Sequence, residues 1–192
     1  ISNWLTNHDP WMDHESARER HEPHTGDWLL RHSQYLAWKS GGSRSLWVYG
    51  KVGCGKTILC STAIEDIRTC CQHSTNAGHA IFYFSFSDSH KQTYQNLIRS
   101  LVIQLGWKEP GLTMLRQAYE RVEQKQLGID ELQKILISSI SSYNKVFLQL
   151  DALDECPEGN GVRENVLDGI KQLMERTENV RVLVTSRDVP DV

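Results

Sequence analysis

The chain has 192 residues, 39% of them hydrophobic and 23% charged, which is the length of one large domain with enough apolar content to bury its own core. With 21 Lys and Arg against 24 Asp and Glu the formal charge is -3, so neither the basic footprint of a nucleic-acid binder nor a polybasic membrane patch is present. Five cysteines without C-x-x-C spacing read as the reduced thiols of a cytoplasmic protein, and no apolar run approaches the roughly 20 residues of a membrane-spanning helix.

Residues 1–45 read as a helical lead-in rich in Trp and His, with Asp27 set to cap a short helix over 28–31 and Ser33 another over 34–39. His8, His14, His21 and His24 lack the spacing of a closed zinc site and read as part of a polar, partly mobile segment. The apolar run 46–49 predicts a strand that enters a glycine-rich loop, and Ile58, Leu59, Ala63, Ile64 and Ile67 then recur at helical spacing over 56–71. Residues 80–86 predict a second strand, apolar on both faces. Leu97, Ile98, Leu101, Val102 and Leu105 mark an amphipathic helix, Pro110 starts another, and Gly128 separates that from a third bearing Leu132, Ile135, Leu136 and Ile140. A third strand over 145–151 is interrupted only by Gln149. A helix with Val166, Leu167, Ile170, Leu173 and Met174 follows, and then a fourth strand over 180–185. Continuous apolar strands alternating with helices predict an α/β fold, a mostly parallel sheet with helices on both faces.

Gly50-Lys51-Val52-Gly53-Cys54-Gly55-Lys56-Thr57 matches G-x-x-x-x-G-K-[ST] between a predicted strand and a predicted helix, the context in which this pattern cradles phosphate. Its glycines let backbone N–H groups turn inward, and the following helix adds free donors and the positive end of its dipole, so the binding set runs from Gly50 through Ile58. Lys56 brings a mobile charge to the β and γ phosphates, and the Thr57 hydroxyl is placed to hold Mg²⁺. The third strand ends in Asp151, at the edge where parallel sheets bind ligands, and a second Mg²⁺ contact through water is expected there. Asp154 and Glu155 follow, and either can serve as the base that activates water; Glu155 is favoured, with Asp154 behind the metal. Arg187, just past the fourth strand, is expected to read the γ phosphate.

These residues resemble the NACHT class of STAND P-loop NTPases, in particular the fungal NOD-like receptors whose NTPase module is similar to the nephrocystin-3 N-terminal region. The likeness rests on residues 50–57, on 148–155 with Ala152 directly after Asp151, on Val184-Thr185-Ser186-Arg187, and in the lead-in on Arg18, Arg20, Thr25-Gly26 and Trp28-Leu29-Leu30. It implies a three-layer P-loop NTPase fold of the ASCE/STAND type, with the fourth strand between the first and third. The NTPase core would occupy 46–192 and stop before its last core strand, and a start at Ile1 without Met likewise suggests a piece of a longer receptor. The resemblance further implies Thr25 and Gly26 near the base or ribose, an ATP/ADP switch, self-association of the full-length receptor, and effector and C-terminal repeat domains outside this chain. The expected function is Mg²⁺-dependent ATP hydrolysis in signalling of the innate-immunity or heterokaryon-incompatibility type. The alternatives are a nucleotide-binding oligomerisation module with negligible turnover and a GTP/GDP-binding hydrolase, the latter weakened because no N-K-x-D follows the third strand.

Overall fold

The computed structural model describes residues 1–6, 8–121 and 126–188. The chain opens with helices α1 (Ser2–Leu5), α2 (Pro10–Glu19), α3 (Asp27–Arg31) and α4 (Ser33–Ser40). Strand β1 (Ser45–Tyr49) leads through the glycine loop into α5 (Lys56–Gln72) and then β2 (Ala77–Tyr83). Helices α6 (Tyr94–Leu105), α7 (Gly111–Arg121) and α8 (Ile129–Ile140) precede β3 (Lys145–Asp151), and α9 (Val162–Arg176) precedes β4 (Val180–Ser186). Every strand pairing is parallel, in the order β1-β4-β3-β2, so β4 lies between β1 and β3 as the resemblance implied. Parallel neighbours require long crossovers, and here the helices of those crossovers cover both faces.

Alternation along the strands sorts the core into two layers. Val146, Leu148 and Leu150 of β3 join Phe82 of β2, Leu97 and Leu101 of α6, and Leu132 and Leu136 of α8 in one cluster. Phe147 packs on the opposite face with Trp38 of α4 and Ile64 and Ile67 of α5. Gln149 and Asp151 share the parity of Phe147, which directs them to the α5 face. The glutamine that interrupts the apolar strand is answered there: His79 Nε2 on β2 donates to Gln149 Oε1 at 2.7 Å. Burial pushes the His79 imidazole down to about 4, so the ring is neutral, and Trp11 of α2 meets it edge-on at 5.8 Å.

The lead-in departs from expectation. Residues 10–19 form a helix that the apolar pattern did not mark, because its inward face is Pro10, His14 and Ala17 rather than an aliphatic stripe. Asp9 caps it by accepting from Trp11 N, with Pro10 at the first helical position. His14 is not part of a mobile segment: it is 2% exposed, with Nδ1 3.1 Å from Tyr83 Oη and Nε2 2.7 Å from Glu65 of α5. The expected caps are each displaced by one residue. Gly26 precedes α3, which starts at Asp27, and the His32 ring accepts from Gln34 N in front of α4.

β2 is likewise shifted, ending at Tyr83 instead of Phe86. Phe84 N still donates to Asp151 O, but Ser85 N turns to Lys91 O, and Gln92 Nε2 donates to the carbonyls of Ser85 and Phe86. Phe84 stays buried against Phe82, whereas Phe86 is exposed, so aromatic character extended the predicted strand past the end of its ladder.

Gly169 on α9 lies under the Tyr94 ring, where an added Cβ would come within 2.2 Å, and the Tyr94 hydroxyl donates to Gly169 O at 3.0 Å. Alanine in a helix interior normally gains about 0.8–1 kcal/mol over glycine, but overpacking here costs about 1–3 kcal/mol and moves the ring. Gly169→Ala should therefore destabilise the chain in urea unfolding by up to about 2 kcal/mol; a more stable variant would contradict this packing.

Candidate functional site

β1 delivers the chain to Gly50, whose N–H donates to Ser186 O on β4 at 3.2 Å. The loop then turns through Gly53 (φ 75°) and Gly55 (φ 88°), left-handed conformations that favour glycine. A Cβ at either would meet nothing within 4 Å, so the backbone angle and not crowding requires glycine there. Helix α5 starts directly after Gly55 without a side-chain cap, leaving its first N–H groups and the positive end of its dipole to the loop. Lys56 Nζ donates back to the loop carbonyls of Gly50 at 2.9 Å and Lys51 at 3.0 Å.

Asp151 lies beside this loop at the end of β3, 2% exposed. Thr185 Oγ1 of β4 donates to its Oδ1 at 2.6 Å, and the Thr57 hydroxyl and the Cys60 thiol of α5 stand near enough to favour its charged form. Burial raises the carboxyl from its ordinary 3.8 to about 6, more than these neighbours lower it. Burial and then the neighbouring Asp151 push the Cys60 thiol well up, so it remains a neutral donor. Among the described residues no cationic side chain pairs with Asp151. A buried carboxylate met by a threonine hydroxyl offers the hard oxygen donors that suit Mg²⁺, so this pair fits the expected ion.

Directly after Asp151 the chain takes a left-handed turn at Ala152 (φ 56°, ψ 46°), a conformation that costs an L-residue roughly 1–2 kcal/mol. Ala152 N donates to Thr185 Oγ1 at 2.9 Å, so one hydroxyl ties the turn to the carboxylate before it. The turn starts a short 3₁₀ segment, Leu153–Glu155, that carries both acids. Asp154 is clasped by Arg187, whose backbone N donates to Oδ1 at 2.8 Å and whose Nε forms an ion pair with Oδ2, also at 2.8 Å. Glu155 Oε2 accepts from Phe86 N at 3.2 Å, its one hydrogen bond among these contacts. Arg163 of α9, 4% exposed, donates to the carbonyls of Asp154 and Cys156 and to Glu158, fixing this loop from behind.

A cleft of about 500 Å³ brings together Val52, Gly53, Gly55, Lys56, Thr57 and Ile58 with Ala152, Asp154, Glu155, Thr185 and Arg187. Asp151 lies behind its wall and meets it through Thr57 and Thr185. Gly50 and Lys51 enter through the carbonyls that hold Lys56. Cys54 lines a second cleft of about 450 Å³, together with Thr25, Gly26, Trp28 and Leu59. Gly26 has φ 96°, and a Cβ there would press on Thr62 Oγ1 of α5 at 3.0 Å, so this turn closes on α5 only as glycine. Sequence reasoning missed Ala17 and named Arg20 only as part of the family likeness, without a place at the site; both line the first cleft, from α2 and its C-cap, and α2 itself was not recognised. It also missed Arg163, which in sequence is an ordinary charge in the first turn of a helix and gave no signal of its burial.

A family described as Nephrocystin 3, N-terminal, matches residues 24–187. Vegetative incompatibility protein HET-E-1 of Podospora anserina is 27% identical over 178 residues, which cover 86% of this chain and only 12% of that protein. Among solved structures, the ORC1 protein of Aeropyrum pernix in complex with DNA superposes with a TM-score of 0.57 at 18% identity. That match covers 88% of this chain and 40% of the ORC1 chain, and at such identity the likeness carries the fold alone. The resemblance read from the motifs is borne out, and so is the α/β architecture with its parallel sheet.

Asp151 also gives the fold a signed pH dependence. Its folded pKa lies above the unfolded value, so its ionisation destabilises the fold; the penalty is absent below about 3.8, grows as pH rises to about 6, and is complete above that. In metal-free buffer Asp151→Asn should therefore stabilise the chain by up to roughly 3 kcal/mol at pH 8, with the gain vanishing by pH 4 in urea titrations. A gain that is absent or independent of pH would contradict the buried, unpaired carboxylate.

Proposed function

The chain belongs to the nephrocystin 3 N-terminal family, and from that premise we propose that it is a Mg²⁺-dependent NTPase module that binds and hydrolyses ATP. One observation carries the reading: Asp151, at the end of β3, meets Thr57, in the first turn of α5, beside a glycine loop that ends in Lys56. Two elements far apart in sequence thus bring a carboxylate and a hydroxyl to the place where a triphosphate and its ion would sit.

In this reading the phosphates take the N–H groups of the loop and of the first turn of α5, and Lys56 leaves the carbonyls of Gly50 and Lys51 for the β and γ oxygens. Thr57 and Asp151 would hold the ion, Asp151 through water; when bound, Mg²⁺ supplies positive charge against the β and γ phosphates. Glu155 is the better candidate for the base, because a single backbone N–H engages it while Asp154 is fixed at both oxygens by Arg187. Arg187 reaches the γ phosphate by giving up the ion pair of its Nε with Asp154, and its fork suits phosphate oxygens. Thr25, Gly26 and Trp28 would receive the base or ribose in the second cleft.

At the level of the whole protein, the HET-E-1 likeness supports a nucleotide switch in incompatibility-type signalling, with self-association and with effector and repeat domains lying outside these residues. A cytoplasmic address agrees with five free cysteines. No helix among the described residues is long and apolar enough to cross a membrane. The net charge of -3 argues against nucleic acid as a partner, and the ORC1 likeness brings no DNA role with it.

A second reading, a nucleotide-binding switch with negligible turnover, is favoured by the engagement of both acids, Asp154 by Arg187 and Glu155 by Phe86 N. Phosphate release from ATP and from GTP separates the readings. The NTPase reading predicts Mg²⁺-dependent release from ATP that disappears in Lys56→Ala and falls about 100-fold in Glu155→Gln with ATP binding retained. Turnover unaffected by Lys56→Ala would sink it. ATP binding without phosphate release over hours would favour the switch, and tighter binding of GTP in direct competition would reverse the base preference.

A further inference from the structure

Three cationic side chains line the first cleft, and two of them already have partners. Lys56 donates to the Gly50 and Lys51 carbonyls, and Arg187 is paired with Asp154. The third, Arg20, is exposed and has no side-chain partner among the described residues. It also lines the second cleft, beside Thr25, Gly26, Trp28 and Cys54. Gly55 and Ile58 are likewise common to both clefts, so the two meet around the first turn of α5, and Arg20 stands at their junction.

The position is rigidly supplied. Arg20 is the C-cap of α2, and that helix is fixed on the sheet and on α5 by buried Ala17 and by His14, which bonds both Tyr83 and Glu65. Lys91 adds an ion pair to Asp13 of the same helix at 2.7 Å. The backbone that carries this long cation is therefore held beside the seam between a cleft with an aromatic wall and a cleft with the phosphate loop.

We infer that Arg20 is a binding residue for the inner phosphates of a nucleotide, the α or β group that must cross the seam when the base lies beside Trp28 and the terminal phosphate lies at Lys56. This rests on the assignment of the glycine loop to a nucleotide. Arg20 is then the lead-in residue that recognises the phosphates, while Thr25, Gly26 and Trp28 meet the base or ribose. The guanidinium fork suits two phosphate oxygens, and with no partner among the described residues it forms that contact without first breaking an ion pair there.

The other role open to a cation at a helix C-terminus is to stabilise the helix through its dipole. The two roles differ in what their loss changes. The test is calorimetric titration of the wild type, Arg20→Gln and Arg20→Lys with ATP and with ADP in the presence of Mg²⁺, with adenosine as a competitor and with thermal midpoints measured without nucleotide. Arg20→Gln should weaken ATP and ADP by the same factor, about tenfold or more. Arg20→Lys should recover part of the loss, while adenosine binding and the midpoint stay unchanged. Unaltered affinity for both nucleotides overturns the inference. So does a loss confined to ATP, which would assign Arg20 to the γ phosphate, and so does a lowered midpoint with affinity intact, which would make it a helix cap. A wild type that binds neither ATP nor ADP overturns instead the nucleotide reading beneath it.

Discussion

A carboxylate buried with no cationic partner among the described residues is the constraint around which the rest of this molecule is arranged. Asp151 ends an interior strand on the face that carries α5, and its ionisation is opposed by burial strongly enough to raise its pKa to about 6. The groups that temper that cost come from two elements: Thr185 on β4, and Thr57 and Cys60 on successive turns of α5. They converge only because β4 is inserted between β1 and β3, so that the strand feeding the glycine loop lies two places from the strand bearing the acid. The parallel order, the left-handed glycines and the uncapped start of α5 all serve to put hydroxyls and free N–H groups around one charge that protein alone leaves poorly compensated.

The polar groups around the cleft bond to one another. Lys56 lies on its own loop, Asp154 is clasped by Arg187, and Glu155 meets the backbone beyond β2. In the proposed reading a polyphosphate must offer Lys56 and Arg187 better partners than they have, and loss of the Arg187 ion pair would leave Asp154 on the Arg187 backbone N–H alone. Binding would thereby be coupled to the loop of residues 152–158, which Arg163 holds through carbonyl oxygens. Charge exchange at the cleft thus has a direct route to α9, and through buried His14 and Tyr83 the lead-in packs on the same sheet.

Much of this was legible in the sequence because it rests on local chemistry. The glycines at 53 and 55, the lysine and threonine after them, and the acid at the end of an apolar strand follow from what a phosphate and a divalent ion require of a backbone turn and a sheet edge. The strand order was legible through the resemblance, since nothing in the apolar pattern distinguishes where β4 inserts. The pattern failed where burial is polar. Helix α2 buries a histidine, an alanine and a proline, so helical periodicity gave no sign of it, although Asp9-Pro10 is a start signal. With α2 unrecognised, Arg20 had no place in the site. Arg163 and Gln149 were opaque for a related reason: their burial is decided by carbonyls and by a histidine on other elements. Asp154 and Glu155, equivalent as letters, are separated only by what the folded chain sets beside each.

The central claim is that the carboxylate of Asp151 and the hydroxyl of Thr57 are brought together to hold an ion against phosphates seated on the start of α5. A crystal structure of the chain with Mg²⁺ and a slowly hydrolysed ATP analogue tests it most directly. The account predicts terminal phosphates on the N–H groups of the glycine loop, the ion on Thr57 with Asp151 beside its water shell, and Lys56 turned away from the carbonyls of Gly50 and Lys51. A nucleotide bound elsewhere, or phosphates on the loop with no ion between them and Asp151, would contradict it.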